Sequence, residues 1–261
     1  ITCRDWSSDV CSSDLFFPHF ARKATRIATV SGFSKDDITQ TYGIDPAKID
    51  VVYNGASNGF KPADPSVVLE TRHFYTRGLP YFLFVGTLHP RKNLENLFLA
   101  FDHFRSCHPE PFCLLIVGNR KWWTPGIEET YRKMKFRNDV IFTGRLTPER
   151  LHLVTASAFA VTYVSFFEGF GIPLLEAMYS DVPVITSNVT SMPEVAGEAA
   201  LLTDPRNPES IATAMMQLAT DPELYRLLIE KGRHRRLYFS WEKTAERLWE
   251  SILRTVNPPN N

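Results

Sequence analysis

The sequence lacks an excess of either charge and any long apolar run. Its 261 residues contain 29 Lys and Arg and 29 Asp and Glu, so the formal net charge is zero and nothing attracts the whole chain to nucleic acid or anionic lipid. No apolar run approaches the ~18 residues that a membrane span requires, and the start lacks a basic segment followed by an apolar one. We therefore expect a soluble or peripheral protein that does not bind nucleic acid, with any anion site confined to a local cluster.

Cysteine and histidine are too few and too scattered for a metal site. The four cysteines, Cys3, Cys11, Cys107 and Cys113, have no C-x-x-C spacing, and the seven histidines show no H-x-x-x-H or H-x-E arrangement. A chain of this size without a disulfide framework is typical of a reducing compartment. We expect no metal and no other cofactor, and a cytoplasmic location that leaves contact with the inner face of the membrane open.

Three widespread enzyme motifs are also missing. The sequence contains no G-x-S-x-G elbow, no P-loop and no G-x-G-x-x-G, so hydrolase, nucleoside triphosphatase and dinucleotide-binding functions have no sequence support. The basic run at residues 231–236 could contact anionic lipid or nucleic acid. A solvated helix end is the favoured interpretation, because helix C-termini attract cations.

What the sequence does contain, from residue 81 onward, is a series of short apolar segments that alternate with helical patterns. That alternation predicts an α/β fold with a doubly wound, Rossmann-like parallel sheet, in which ligands bind at the carboxyl ends of the strands. The predicted strands are 81–85, 112–117, 140–142, 158–164, 182–186 and 200–202.

Two helical segments carry further signals. The sequence Ser191-Met-Pro-Glu194 predicts a capping box, in which the glutamate returns to the start of its own helix. The last helix has one apolar stripe at helical spacing, which favours packing on a core over contact with a membrane or a partner. The stripe consists of Trp241, Ala245, Leu248, Ile252 and Val256.

The segment from Glu168 to Met178 joins a predicted strand to a predicted helix through a glycine-rich loop. Gly169 and Gly171 let the backbone approach a ligand without intervening Cβ atoms, and the free amides at the helix start favour an anion. Glu168 lies in the loop and Glu176 lies in the helix, so we expect the two carboxylates to flank the loop mouth without touching. The segment predicts two separate hydroxyl-binding groups, although such a turn can also serve only to end a strand.

Arg91 and Lys92 stand just before another predicted helix start, after the strand 81–85. A positive charge there is disfavoured by roughly 0.3–1 kcal/mol unless an anion is also present, so the pair favours a phosphate ligand over a solvated loop tip. Gly118 and Gly144 end two neighbouring strands and therefore border the same crevice, unless they are simple turns.

Together these motifs resemble the retaining glycosyltransferases of the GT-B class known as the GT4 family. The resemblance extends over about residues 25–256 and is strongest at 86–93 and 168–178. It implies that Glu168 contacts the transferred sugar, that the glycine amides hold the diphosphate, and that Glu176 binds the ribose hydroxyls.

The resemblance also implies a set of site residues. The family usually has an arginine where this chain has Thr87, so Arg91 is expected to take its place. The implied catalytic residues are Glu168, Arg91 and Lys92. The implied donor-binding residues are Gly86, Thr87, Gly118, Gly144, Leu146, Gly169, Phe170, Gly171, Leu175 and Glu176.

The domain organisation follows from the same resemblance and from shifts in composition. Residues 1–15 have no periodicity and resemble a translated sequencing adapter, so we expect a foreign or disordered segment there. Residues 16–60 are expected to be a remnant of the N-terminal acceptor domain, and 61–80 a linker. A Rossmann-like nucleotide-sugar-binding domain follows at 81–240, and 241–261 is expected to be a crossing helix with its tail.

The implied function is retaining transfer of a hexose, with mannose favoured, in polysaccharide biosynthesis. The donor would be a nucleotide-diphosphate sugar and the acceptor a glycan or a lipid-linked molecule. With an incomplete acceptor domain, the isolated chain is expected to be inactive. Two alternatives remain, a non-catalytic nucleotide-sugar-binding module and a GT-B sugar-nucleotide epimerase or phosphorylase. GDP, UDP and ADP donors are not distinguished, because the family contacts the base through backbone groups.

Overall fold

A computed structural model describes residues 12–257 of the chain. Residues 1–11 of the segment expected to be foreign, and the end of the tail at 258–261, lie outside the described residues. The first helix begins at Ser12, within the segment that we expected to be foreign or disordered, and ends at Lys23.

The described chain alternates between helices and strands for most of its length. The helices are α1 (Ser12–Lys23), α2 (Gly32–Tyr42), α3 (Pro65–Thr76), α4 (Leu94–Cys107), α5 (Pro125–Lys133), α6 (Pro148–Ala156), α7 (Ile172–Tyr179), α8 (Met192–Ala196), α9 (Pro208–Thr220), α10 (Pro222–Arg235) and α11 (Trp241–Val256). The strands are β1 (Ile27–Thr29), β2 (Ile49–Val51), β3 (Tyr81–Val85), β4 (Cys113–Val117), β5 (Val140–Gly144), β6 (Ala160–Tyr163), β7 (Val184–Ser187) and β8 (Ala200–Thr203).

The larger sheet contains six of these strands in the order β5-β4-β3-β6-β7-β8, and every neighbouring pair is parallel. The predicted doubly wound parallel sheet is therefore confirmed. Strand order reverses between β3 and β6, and in such sheets a crevice opens outside the carboxyl ends of the strands at the reversal. We call β3 to α10 the large lobe and residues 12–53 the small lobe, whose two strands form a separate parallel sheet.

The large sheet is apolar on both faces because helices cover both. Strand β3 reads YFLFV, and its successive side chains point to opposite faces. Phe82 and Phe84 belong to one core cluster, together with side chains of α4 and α9. Tyr81 and Leu83 belong to the other, together with side chains of α6, α7 and α8. The sheet is thus a rigid platform, and only its strand ends and loops are available to a ligand.

The apolar stripe of α11 does not pack on a core, so that prediction was wrong. Trp241, Leu248 and Ile252 are 46%, 42% and 43% exposed, and Val256 is 69% exposed. The helix instead contacts the small lobe through polar side chains. The Thr244 hydroxyl donates to the Tyr53 carbonyl, the Ser251 hydroxyl donates to Asp50, and Arg254 forms an ion pair with Asp50. These residues also recur at helical spacing, so the docking face is a different face from the apolar one.

The capping box at the start of α8 was also predicted wrongly. Ser191 forms no side-chain capping bond there, and its hydroxyl donates to the Glu168 carbonyl instead. The Glu194 carboxylate bonds to the small lobe. At four other helix starts a side chain does cap the helix by accepting backbone amide hydrogen bonds. The capping residues of this group are Thr147, Asn207, Asp221 and Ser240.

Between residues 12 and 257, no helix is both long and apolar enough to cross a bilayer.

Candidate active site

The candidate site lies where the carboxyl ends of β3, β4, β5 and β6 meet at one edge of the sheet. All four strands are parallel, so their C-terminal loops lie side by side. The Gly86 amide donates to the Val117 carbonyl at 2.9 Å, and the Gly118 amide donates to the Gly144 carbonyl at 3.0 Å. A Cβ atom at Gly118 would lie 1.8 Å from the Gly86 oxygen, so only glycine permits this approach. The three predicted glycines are therefore brought together at the crevice.

The basic pair is held by a short 3-10 turn, Pro90–Lys92, between β3 and α4. The Arg91 amide donates to Nδ1 of His89 at 3.1 Å, which caps this turn. The Asn93 amide nitrogen Nδ2 then donates to the Val164 carbonyl at 2.9 Å, and the Phe166 amide donates to the Arg91 carbonyl at 3.0 Å. These bonds tie the loop after β3 to the loop after β6, across the point where the strand order reverses.

The structure joins Arg91, Lys92 and Glu168 into one ionic cluster. The Lys92 ammonium lies 2.6 Å from Glu168 Oε1, and Arg91 Nη1 lies 2.9 Å from the same oxygen. Lys92 also donates to the Tyr163 hydroxyl, and that hydroxyl donates to Glu168 Oε1 at 3.1 Å. Lys92 is 9% exposed and Glu168 is 8% exposed. A buried charge of either sign requires a partner of opposite charge, and here Lys92 and Glu168 are each other's partner.

The electrostatics of this cluster follow from burial and from its opposite charges. Burial by itself would raise the pKa of Glu168, but the charges of Lys92 and Arg91 outweigh it and hold that pKa below its usual value. Burial lowers the pKa of Lys92, although Glu168 opposes that change. Burial also raises the pKa of Tyr163 well above its usual value. At neutral pH Glu168 is therefore a carboxylate and Tyr163 a neutral phenol, and the Lys92 and Arg91 nitrogens lie beside that carboxylate.

The loop that carries Glu168 is fixed from both lobes. The Thr190 hydroxyl accepts from the Glu168 amide at 3.3 Å, and the Ser191 hydroxyl donates to the Glu168 carbonyl at 2.9 Å. From the small lobe, the Ser31 hydroxyl donates to the Gly169 carbonyl at 2.6 Å. The loop ends at Gly171, whose φ of +94° favours glycine and which begins α7 without a side-chain cap. Pro173 has no amide hydrogen and the Leu174 amide donates to the Gly171 carbonyl at 3.0 Å, so among the first three residues of α7 the Ile172 amide is left for another acceptor.

Glu176 lies in the second turn of α7 and is partly buried. Burial raises its pKa to about 7, with no charged neighbour contributing. Within the described part of the chain its carboxylate forms no hydrogen bond or ion pair, with Glu168 or with any other residue. As predicted, the two glutamates stay apart. Glu176 is an acceptor group whose hydrogen-bonding capacity is unused.

The remaining predicted residues differ in what they can offer. Thr87 and Gly144 are exposed at the rim, and Leu146 is partly buried beside them. Phe170 packs between the rings of Tyr53 and Phe239, which leaves only its backbone to a ligand. Leu175 is fully buried. Gly169 is partly buried, and its carbonyl is already bonded from the small lobe.

Sequence reasoning missed Tyr163 and His89. Tyr163 is the last residue of β6, and a polar group at the end of a buried strand reaches the ligand edge of a parallel sheet. The position of Tyr163 at the end of a buried strand was the sequence signal that could have identified it. His89 precedes Pro90, and an acceptor before a proline is a common start of a helical turn.

Among residues 12–257, no group of three or more His, Cys, Asp and Glu side chains is arranged to hold a metal ion.

Residues 73–235 match the family model described as glycosyl transferases group 1. O-antigen chain mannosyltransferase B of Escherichia coli is 31% identical over 220 residues, which are 84% of this chain and 58% of that protein. O-antigen chain mannosyltransferase RfbU of Salmonella typhimurium is 28% identical over 202 residues, which are 77% of this chain and 53% of that protein. The chain thus spans a little over half the length of these curated relatives.

Solved structures share the fold. Anabaena HepE in complex with UDP-glucose superposes with a TM-score of 0.79 at 19% identity, over 94% of this chain and 70% of that one. At this identity the likeness shows the architecture alone, and the predicted GT-B type α/β fold is confirmed.

Proposed function

Because the chain belongs to the glycosyl transferases group 1 family, we propose that it carries the donor-binding side of a glycosyltransferase. The donor is a nucleotide-diphosphate sugar, bound in the crevice at the carboxyl ends of β3 to β6. Support comes from the reversal of strand order there and from the uncapped start of α7, both of which favour a phosphorylated ligand.

The observation that carries the proposal is the cluster of Arg91, Lys92 and Glu168. Arg91 and Lys92 come just before the start of α4. They lie beside the carboxylate of Glu168, which is on a loop from the other half of the sheet. When the glycosidic bond to the nucleotide breaks, negative charge collects on the departing diphosphate, and two preorganised cations stabilise that charge. Glu168 then holds and orients the sugar, and the transfer proceeds with retention.

Glu176 supplies the second binding group of the proposed site. Its free carboxylate lies on the helix that begins at the diphosphate position, and we propose that it accepts hydrogen bonds from the ribose hydroxyls. Thr87, at the position of the family's usual arginine, is exposed at the rim, and we propose that Arg91 acts in its place.

The names of the relatives support a hexose donor, and we propose mannose because both O-antigen relatives are named mannosyltransferases. The same names support a growing glycan or a lipid-linked glycan as acceptor. A lipid-linked acceptor would bring the protein to the inner face of the membrane as a peripheral protein. The UDP-glucose bound to HepE supports a nucleotide-diphosphate sugar as the class of donor and leaves the base open.

Isothermal titration calorimetry of the chain with UDP, GDP and ADP tests the proposal. Charge-assisted hydrogen bonds contribute about 1.5–3 kcal/mol each, so Lys92→Ala should weaken binding of the preferred nucleotide by about ten- to a hundredfold. Lys133→Ala is the matched control, because Lys133 is an exposed lysine whose ion pair is with Glu129 on its own helix. Its effect should stay within twofold to threefold.

Two results would contradict the proposal. One is that no nucleoside diphosphate binds the folded wild-type chain. The other is that Lys92→Ala, with its fold intact by circular dichroism, binds as tightly as Lys133→Ala. A transfer assay with GDP-mannose and lipid-linked glycans then tests the acceptor class.

A further inference from the structure

Glu194 links the two lobes of the protein through its side chain. It lies on α8 of the large lobe, and its carboxylate accepts three hydrogen bonds from the small lobe. The amides of Gly32 and Phe33 donate at 2.7 and 3.0 Å, and the Tyr53 hydroxyl donates at 2.9 Å. On the other side of α8, Arg235 donates to the carbonyls of Glu194 and Val195 and thereby fixes the helix that presents the carboxylate.

These bonds complete the start of α2. The first amides of a helix have no partner inside the helix. Ser31 caps α2 by accepting from the Ser34 amide at 3.0 Å, which leaves the amides of Gly32 and Phe33. Glu194, 162 residues downstream of Gly32, takes both, and its negative charge is favoured at the positive end of the helix dipole. The start of α2 is therefore satisfied only when the two lobes are in contact.

The same end of α2 also holds the loop that carries Glu168. The hydroxyls of Ser31 and Ser34 donate to the Gly169 carbonyl at 2.6 and 3.2 Å. The ring of Phe33 lies edge-on to the ring of Phe167, with centroids 5.5 Å apart. Anything that fixes the start of α2 therefore also fixes the backbone on both sides of Glu168.

We propose that Glu194 is a positioning residue for the Glu168 loop. It does not touch the ionic cluster itself. It anchors the start of α2, and Ser31, Ser34 and Phe33 at that start contact the loop. The catalytic meaning of this arrangement rests on the proposed function, because it matters for transfer only if Glu168 orients the sugar. The mechanical coupling is independent of that assignment.

Hydrogen–deuterium exchange measured by mass spectrometry on the full chain tests the coupling. Glu194→Ala should speed exchange on the order of tenfold or more in the first turn of α2, because two amides lose a charged acceptor. It should also speed exchange in residues 165–171, whereas the hydrogen bonds of the Glu194 carboxylate are to Gly32, Phe33 and Tyr53. Glu194→Gln keeps one acceptor oxygen, but its NH2 group cannot accept from the second amide, so it should restore only part of the protection at both places.

Two controls separate positioning from general loss of stability. Glu198→Gln alters a nearby exposed glutamate whose ion pair is with Lys231, and it should leave both segments at wild-type rates. Leu228→Ala opens the buried core of α10, and it should lower the melting temperature without a selective increase in residues 165–171.

The outcomes are distinct. Faster exchange in both segments for Glu194→Ala, with partial recovery in Glu194→Gln, supports the proposal. Faster exchange confined to α2 would show that Glu194 caps that helix without positioning the Glu168 loop. Unchanged exchange in both segments would show that Glu194 stabilises neither the start of α2 nor the loop. Either result overturns the positioning role. None of these measurements needs a nucleotide, so a chain that failed to bind UDP, GDP or ADP would refute the proposed function and leave the exchange data to decide on Glu194.

Discussion

Replacing Glu176 with glutamine should make the donor-free protein more stable and its nucleotide binding weaker. The carboxylate is partly buried, has no partner among the described residues, and has its pKa raised by burial from 4.5 to about 7. An ionised carboxylate in such a place destabilises the folded state, because the unfolded chain solvates the charge better. A neutral amide of the same shape removes that penalty.

The sign and size follow from the two pKa values. Below pH 4.5 the group is protonated in both states and costs nothing. As the pH rises from 4.5 to about 7 the unfolded chain ionises first, so stability is progressively lost, and the loss is complete above pH 7. At about 1.4 kcal/mol per pH unit over the roughly 2.5 units between these two values, the full loss is up to about 3.5 kcal/mol. In a protein of this size that corresponds to roughly 7–14 °C in melting temperature.

Urea unfolding of the wild-type protein and Glu176→Gln at pH 4, 6 and 8 measures this effect. The stability difference should be near zero at pH 4 and largest at pH 8. The control is Glu246→Gln, which lies on an exposed face of α11 and should change stability by less than about 0.5 kcal/mol at any of these pH values. Calorimetry at pH 8 should show nucleotide binding weakened about tenfold or more. A variant that is no more stable at pH 8, or equally stabilised at pH 4 and pH 8, would refute the reasoning.

Two further predictions test other parts of the structure. Gly118→Ala would place a Cβ atom 1.8 Å from the Gly86 oxygen, so it should lower the unfolding free energy in urea by at least about 3 kcal/mol. Gly43→Ala, at a φ of +63° with open space around it, should cost only roughly 1–2 kcal/mol, and equal effects would contradict this account. The bond from Arg26 lowers the pKa of Asp50 to about 2, so Asp50→Asn should cost about 2 kcal/mol at pH 7. That deficit should shrink as the pH falls from 4 towards 2, and a constant deficit would show that charge is not its cause.

Local patterns in the sequence were sufficient for most of the fold and for the family. Strand β3 has the predicted bounds, because five consecutive apolar residues between a proline and a glycine leave little choice. The resemblance to the GT4 glycosyltransferases is confirmed by the family match over residues 73–235. The division into domains and the roles of the site residues stay predictions.

The sequence also identified the charged residues of the candidate site, but it assigned them to two different parts of the donor. It assigned Arg91 and Lys92 to the diphosphate and Glu168 to the sugar. Their meeting in one buried cluster, with Tyr163 as a fourth member, depends on the adjacency of β3 and β6. No spacing along the chain encodes that adjacency, because the partners are more than seventy residues apart.

The sequence by itself determined which segments become helices and strands, because periodicity, caps and glycine or proline stops act within a few residues. Only the tertiary structure decided which polar group meets which. Glu194 fits a local capping box, yet it bonds to a helix start 162 residues away. The apolar stripe of α11 suggests a core-facing side, yet Thr244 and Ser251 on another face make the contact. A hydrogen bond goes to whichever partner the packed lobes bring within reach, and that choice is made by the whole fold.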